Sequence, residues 1–257
     1  MKMAESSRGD AVRESRARTV AERLVAVVTV ATLAGCAAIA PQYYTLVTPQ
    51  PPFDAAPPVE SDYAISVQPV MIPEQVARPQ IVVRASAGAE VVPLNAALWV
   101  APLESQIRTV LSDALSRELN VLDLSDSRAA GGLPVWQIFL DVNRFESLYD
   151  MSVRQEVVWR VVPQGMPASV KQRVCSAELE VPVATGMSAL VEGHSLALRR
   201  VAGLLAESLP SRPSDGAAGP TASQSQGAAT GALTVAASGL YATGDHPPSV
   251  QFRGCAG

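Results

Sequence analysis

The chain has 257 residues, of which 48% are hydrophobic and 17% charged, with 20 basic and 24 acidic side chains and a formal net charge of −4. That length supports one sizeable core, and the acidic balance argues against nucleic acid or an anionic membrane surface as an electrostatic partner. Three cysteines are too few for a disulfide framework.

In chain order, the first informative stretch is an eleven-residue apolar run, Leu24 to Ala34, preceded by Arg13, Arg16, Arg18 and Arg23 and closed by Leu33-Ala34-Gly35-Cys36. A basic region, a short apolar segment and small residues at its end make a secretory signal peptide. Roughly 20 apolar residues are needed to cross a bilayer as a helix, so the run is poorly suited to a permanent span. Residues 1–35 hold six of the basic and four of the acidic residues, which leaves 36–257 at −6. This leader is long and acidic ahead of its apolar run, and a start of translation at Met3 or further downstream stays open.

Ala34-Gly35-Cys36 resembles the lipobox of bacterial lipoproteins. The resemblance implies cleavage before Cys36, a diacylglycerol thioether on its sulfur and acylation of the new amino terminus. The alternative is an ordinary signal peptide with an incidental cysteine. Cys175 lies in phase with Leu179 and Val181 and reads as a small buried hydrophobe. An exported protein could pair it with Cys255, but nothing in the sequence holds the end of the chain near Cys175. The expectation is therefore that the two stay unpaired.

After a tether, Gln42 to Val47 is β-prone, and residues 49–58 carry five prolines, which cannot donate to a ladder. Tyr63, Ile65 and Val67 alternate with Ala64, Ser66 and Gln68, the period of a half-buried strand. Glu74 to Pro79 reads as a turn. Gln80 to Arg84 and Glu90 to Leu94 form a hairpin-like pair turning at Gly88. From Trp99 the period changes: Leu103, Ile107, Val110, Leu111, Ala114, Leu115 and Leu119 mark one face of a helix, with Pro102 in its first turn and Asn120 as its stop.

Three alternating strands follow, around Trp136 to Val142, Val153 to Val161 and Cys175 to Val181, as expected of an antiparallel meander covered on one side. The spacing predicts a second helix over about 188–209, capped by Thr185 or Ser188. Beyond Pro210 the composition turns to Gly, Ala, Ser, Thr and Pro. A disordered tail over 210–257 is expected, with 232–241 the one piece able to dock. The fold class expected is α+β, a mostly antiparallel sheet with two amphipathic helices packed on one face. The divisions are a signal peptide (1–35), a lipid-anchored tether with a first strand and Pro-rich loop (36–62), the α+β domain (63–209) and the tail.

Three stretches carry a family resemblance. They are Ile65 to Glu74 with Arg78-Pro79-Gln80-Ile81-Val82, Trp99 to Ile107, and Asp141-Val142-Asn143-Arg144-Phe145-Glu146 with Trp159-Arg160. Behind a lipobox and Tyr43-Tyr44-Thr45-Leu46, this ordered set is similar to the ABC-type transport auxiliary lipoproteins, the PqiC-type family. The second stretch lacks the acidic residue of the family's Trp-Ala-Glu-Pro-Leu segment, and the tail is unlike the family. The resemblance spans about residues 36–209. It implies a non-enzymatic outer-membrane lipoprotein of an MCE-type lipid transport system, with a periplasmic MCE-domain protein and inner-membrane transporter subunits as partners. No cofactor is implied beyond the covalent lipid on Cys36.

The missing chemistry agrees with that implication. There is no phosphate-loop motif and no Gly-x-Ser-x-Gly elbow. His194 has no His or Cys at ligand spacing and reads as a surface or partly packed residue. The acidic pairs Asp141/Glu146 and Glu178/Glu180 read as the wet face of a sheet rather than as acid–base carboxylates. Tyr43, Trp99, Trp136 and Trp159 read as core rather than as a stacking platform. Arg78, beside Pro79 in a tight loop, either pairs internally or contacts a partner. Together with Glu74 and the polar face (Arg154, Glu156, Arg160, Glu178, Glu180), it is the candidate partner surface. Competing readings are a lipid-anchored periplasmic small-ligand carrier or enzyme, and a structural envelope lipoprotein. Self-association is open.

Overall fold

The computed structural model describes residues 40–46, 61–84, 88–124, 132–209 and 247–256. The lipobox with Cys36, the whole Pro-rich stretch 49–58 and the 232–241 segment lie outside them. In chain order the elements are β1 (Gln42–Tyr44), β2 (Ala64–Val67), β3 (Gln80–Arg84), β4 (Val91–Trp99), α1 (Leu103–Leu119), β5 (Val135–Leu148), β6 (Ser152–Gln164), β7 (Arg173–Pro182), α2 (Met187–Ser208) and β8 (Ser249–Ala256). This is the expected α+β class. The described strands form one mixed eight-stranded sheet in the order β1-β4-β3-β5-β6-β7-β8, with β2 also on β5.

The antiparallel meander is its centre. β5 pairs with β6 from Val135↔Gln164 to Leu148↔Ser152, and β6 pairs with β7 from Ser152↔Pro182 to Val161↔Arg173. The other edge of β5 is shared. β2 runs parallel to its start, Ala64↔Val135 to Val67↔Ile138, and β3 meets its end at Arg84↔Leu148. A register shift between Val142 and Arg144 moves the inward phase by one residue, as an extra residue in one strand must. Trp136, Ile138, Leu140 and Val142 point into the core before it, and Phe145 does so after it.

α1 buries Leu103, Gln106, Ile107, Val110, Leu111 and Leu115, most of the predicted stripe with Gln106 added, while Ala114 and Leu119 are half-buried. Asn120 ends it in the left-handed region at φ 50°, a conformation that Asn tolerates because its short side chain bonds locally. α2 starts after Gly186 at φ 100° with no side-chain cap, so neither Thr185 nor Ser188 caps it. Instead the Gly186 N–H donates to Asp150 Oδ1 at 2.8 Å, tying the helix start to the β5–β6 turn. Where α2 crosses the sheet, a Cβ on Gly193 would come within 2.4 Å of Val183 Cγ1. Only glycine lets the helix lie that close. The far end of α2 is fixed by Trp159 Nε1, which donates to Ser208 Oγ at 3.2 Å, and by Arg173, which donates to the Ser208 carbonyl.

Three expectations are corrected. β4 runs on to Trp99, past the predicted end at Leu94. The 210–257 tail is not disordered throughout: Ser249–Ala256 forms β8, antiparallel to β7 from Val174↔Ala256 to Glu180↔Ser249. Cys175 and Cys255, expected unpaired, are directly opposed in that register and joined as a disulfide. The physical reason is the alternation of Ser249 to Phe252, which puts Val250 against the core and Phe252 over Trp159, ring centroids 6.1 Å apart, followed by a register shift opposite Ser176/Ala177 that brings Cys255 into the same phase, against Cys175. Among the described residues no helix is long and apolar enough to cross a membrane.

Candidate functional site

The helices cover one face of the sheet. The other face carries the five predicted polar residues, four of them knitted into ion pairs between strands. Arg154 Nε lies 3.1 Å from Glu180 Oε1, a pair directly across the β6–β7 register. Arg144 reaches both Glu156 (3.9 Å) and Glu178 (3.8 Å), and Arg253 of β8 closes on Glu178 at 2.8 Å. Arg84 binds Glu146 at 2.8 Å, linking β3 to β5. Arg160 stands 4.4 Å over the Phe139 ring, close enough for cation–π attraction. Half-exposed pairs of this kind add little stability singly, but together they fix a charged surface in one arrangement. Asp141 is exposed and Glu146 is in an ion pair, so neither they nor Glu178/Glu180 form an isolated acid–base pair.

The loop Glu74 to Pro79 is folded on itself. The Val76 N–H donates to the Pro73 carbonyl at 3.0 Å, Ala77 to Glu74 at 3.2 Å and Arg78 to Val76 at 2.8 Å. Val76 is buried beneath it, and the Trp99 N–H donates to the Pro79 carbonyl at 2.7 Å. Glu74 and Arg78 are both exposed on this anchored loop. The cleft between it and the sheet, lined by Val76, Arg84, Val91 and Phe145 among others, has about 10 Å³ of water-accessible space. That admits about one water and no larger ligand.

Trp99, Trp136 and Trp159 are core, at 5%, 2% and 0% exposure, whereas Tyr43, read with them, is 63% exposed. Tyr43 sits on a three-residue strand that is an edge among the described strands, paired with β4 alone.

His194, expected to be a surface or partly packed residue, is fully buried, stacked 3.9 Å from the Phe145 ring. Its position was legible: Leu190, His194, Leu198 and Val201 fall on one helical stripe. Gln155 Nε2 donates to the His194 carbonyl at 3.2 Å and lies 3.1 Å from Nδ1. A carbonyl only accepts, so the amide nitrogen is the group facing Nδ1, and Nδ1 carries no proton. The network thus assigns the proton to Nε2, which donates to Ser147 Oγ at 2.9 Å. Burial lowers the His194 pKa to about 3, in keeping with a neutral ring. A serine nucleophile needs the opposite polarity, with the imidazole accepting the hydroxyl proton. Among the described residues no group of three or more His, Cys, Asp or Glu could hold a metal.

The fold and these surfaces define an α+β domain whose accessible chemistry is a fixed charged surface. A crystal structure of an uncharacterized protein superposes with a TM-score of 0.52 at 19% identity, covering 65% of this chain and 97% of its own. A protein from Xanthomonas campestris of family DUF330 superposes with a TM-score of 0.44 at 19% identity, covering 64% of this chain and 92% of its own. At that identity the first likeness supports the fold alone. No curated protein matches the chain. The family model for the ABC-type transport auxiliary lipoprotein component matches residues 44–206, and the chain belongs to that family. β8 and Cys255 lie beyond the matched residues.

Proposed function

We propose that this chain is a non-enzymatic auxiliary subunit of an MCE-type lipid transport system, docking the periplasmic assembly to the outer membrane. A lipid on Cys36 holds it there. Two or more acyl chains give stable attachment, each buried methylene contributing about 0.8 kcal/mol. Ala37 replaces the aspartate that commonly retains lipoproteins in the inner membrane, which favours the outer membrane. The partners are a periplasmic MCE-domain protein and inner-membrane transporter subunits, and no cofactor is used apart from the lipid.

The observation that carries the reading is the anchored loop with Glu74 and Arg78 exposed on it. Charges held on a fixed backbone give a partner electrostatic complementarity and register, and such surfaces are poor at entering lipid. The test is a pull-down from envelope extract with the full chain and its Arg78→Glu variant, with circular dichroism as the folding control. Wild type should recover transporter components, and the variant should recover fewer. Recovery of none by wild type, or turnover of an ester substrate, points to the carrier or enzyme reading. Cys36→Ser should abolish labelled-palmitate incorporation and release the protein from washed membranes.

A further inference from the structure

β4 is covered unevenly. β3 pairs along it, from Gln80↔Leu98 to Arg84↔Val91, whereas β1 pairs only with Ala97 to Trp99. Over Val91 to Ala96 the outer edge therefore has no partner among the described strands. Five of those six residues are exposed and Leu94 is half-buried, with Val91 at 45% and Val92 at 38%. Asn95 is the one polar side chain among them. Successive side chains point to opposite faces of a strand, so this half of β4 is open on both faces as well as along its edge. Edge strands are normally guarded by charge, and here there is none. Pro93 has no N–H to give a further strand, which disfavours a second copy adding to the sheet at this place.

The start of β1 indicates what covers the edge instead. β1 runs parallel to β4 with Gln42 opposite Ala97, so the chain reaches β1 from the end of the sheet at which Val91 lies. Cys36 is six residues ahead of Gln42, as Val91 is six ahead of Ala97. A chain from Cys36 to Pro41 spans at most about 18 Å. A lipid on Cys36 keeps Pro41 within that reach of the bilayer surface, and the open half of β4 begins at the register position next to it.

We propose that the open edge of β4, Val91 to Ala96, lies on the surface of the bilayer that holds the Cys36 lipid. The inference rests on the anchor proposed above. The contact is shallow: unpaired backbone N–H and C=O groups are costly in hydrocarbon, whereas headgroups and their water supply partners. Glu90, exposed ahead of the strand, bounds the contact, because a carboxylate is costly to bury. The contact is apolar and needs no anionic lipid, in keeping with the acidic balance of residues 36–257.

The test uses the full chain as purified from envelope membranes, placed in phosphatidylcholine vesicles with bromine on the upper part of the acyl chains, which quenches tryptophan on contact. Val92→Trp and Ala96→Trp put reporters on the edge, and Gln251→Trp puts one on β8, at the other end of the sheet order. The native tryptophans, all core, set the background. Each edge reporter should lose at least about half of its added emission, as a side chain at the headgroup boundary does, and the β8 reporter should lose none. Adding Val91→Asp to Ala96→Trp should restore most of that emission at an unchanged melting temperature, since Val91 is exposed. No quenching at the edge, equal quenching on β8, or quenching undiminished by Val91→Asp overturns the proposal. Shielding of the edge reporters from aqueous iodide without quenching by bromine assigns the edge to another protein surface and overturns it as well. Labelled palmitate separates the two readings: label without edge quenching removes the edge contact alone, neither label nor quenching removes the anchor too, and quenching without label upholds the edge contact and removes the anchor.

Discussion

β1 and β8 stand at opposite ends of the sheet order, and among the described strands each has a neighbour on one side alone, yet different chemistry holds them. β1 is three residues long and parallel to β4. Just after it, the Leu46 N–H donates to Gln106 Oε1 at 2.9 Å, while Gln106 Nε2 donates to the Ala101 carbonyl at 2.7 Å. One helix side chain thus staples the strand to the start of α1. β8 is longer, mostly exposed, and reached only after the whole of α2. Its hold is covalent, through Cys175–Cys255, with Arg253–Glu178 beside it. β1, of which only Tyr44 falls in the family match, relies on a hydrogen bond that spans 60 residues. β8, wholly beyond the match, relies on a cross-link that spans 80 residues.

Breaking the cross-link should have the largest effect. Cys255→Ser, or reduction of the wild type, should lower unfolding stability by about 2–5 kcal/mol, read as a shift in guanidinium midpoint. An unchanged midpoint would mean that β8 is held by pairing alone. At the other edge, Gln106→Leu strands a buried N–H at Leu46. A loss of about 1–3 kcal/mol is expected, with faster amide exchange at β1 and the start of α1 while β8 is unaffected.

A third perturbation acts between the edges and serves as their common reference. His194 has a folded pKa of about 3 against about 6.5 unfolded. Between those values the unfolded chain binds the proton and the folded one does not, so stability is full above pH 6.5 and falls as pH is lowered towards 3. At pH 5.5 the loss from this group should be about 1.4 kcal/mol, and His194→Gln should remove that slope. The smallest effect is expected on the charged face. Glu180→Gln removes the Arg154 pair and should cost no more than about 1 kcal/mol, diminished further by salt.

These contrasts also explain what could be read from the sequence. The α1 stripe, the Asn120 stop and the three meander strands were legible because one local period fixes each. The inward face of β5 was legible up to Val142, but the bulge after it appears only when β6 sets the register. His194 lay on the predicted stripe and was misread because its residue type outweighed its phase; its partners, Ser147 and Gln155, come from two other strands. β8 was hidden by the composition of residues 210–246, although Val250, Phe252 and their alternate neighbours carried its period. At the candidate surface, Glu74, Arg78 and the polar residues of β6 and β7 were identifiable by type and alternation. The open edge of β4 was not, since it depends on how much of that strand β1 reaches.

The bond between Cys175 and Cys255 turns the chain between them into a covalent ring that carries all of α2. A single peptide-bond cut anywhere within that ring would leave its two products tethered, migrating as one species until a reductant separates them. For a protein working outside the cytoplasm, a nick in this part of the chain would change its connectivity before it changed its mass.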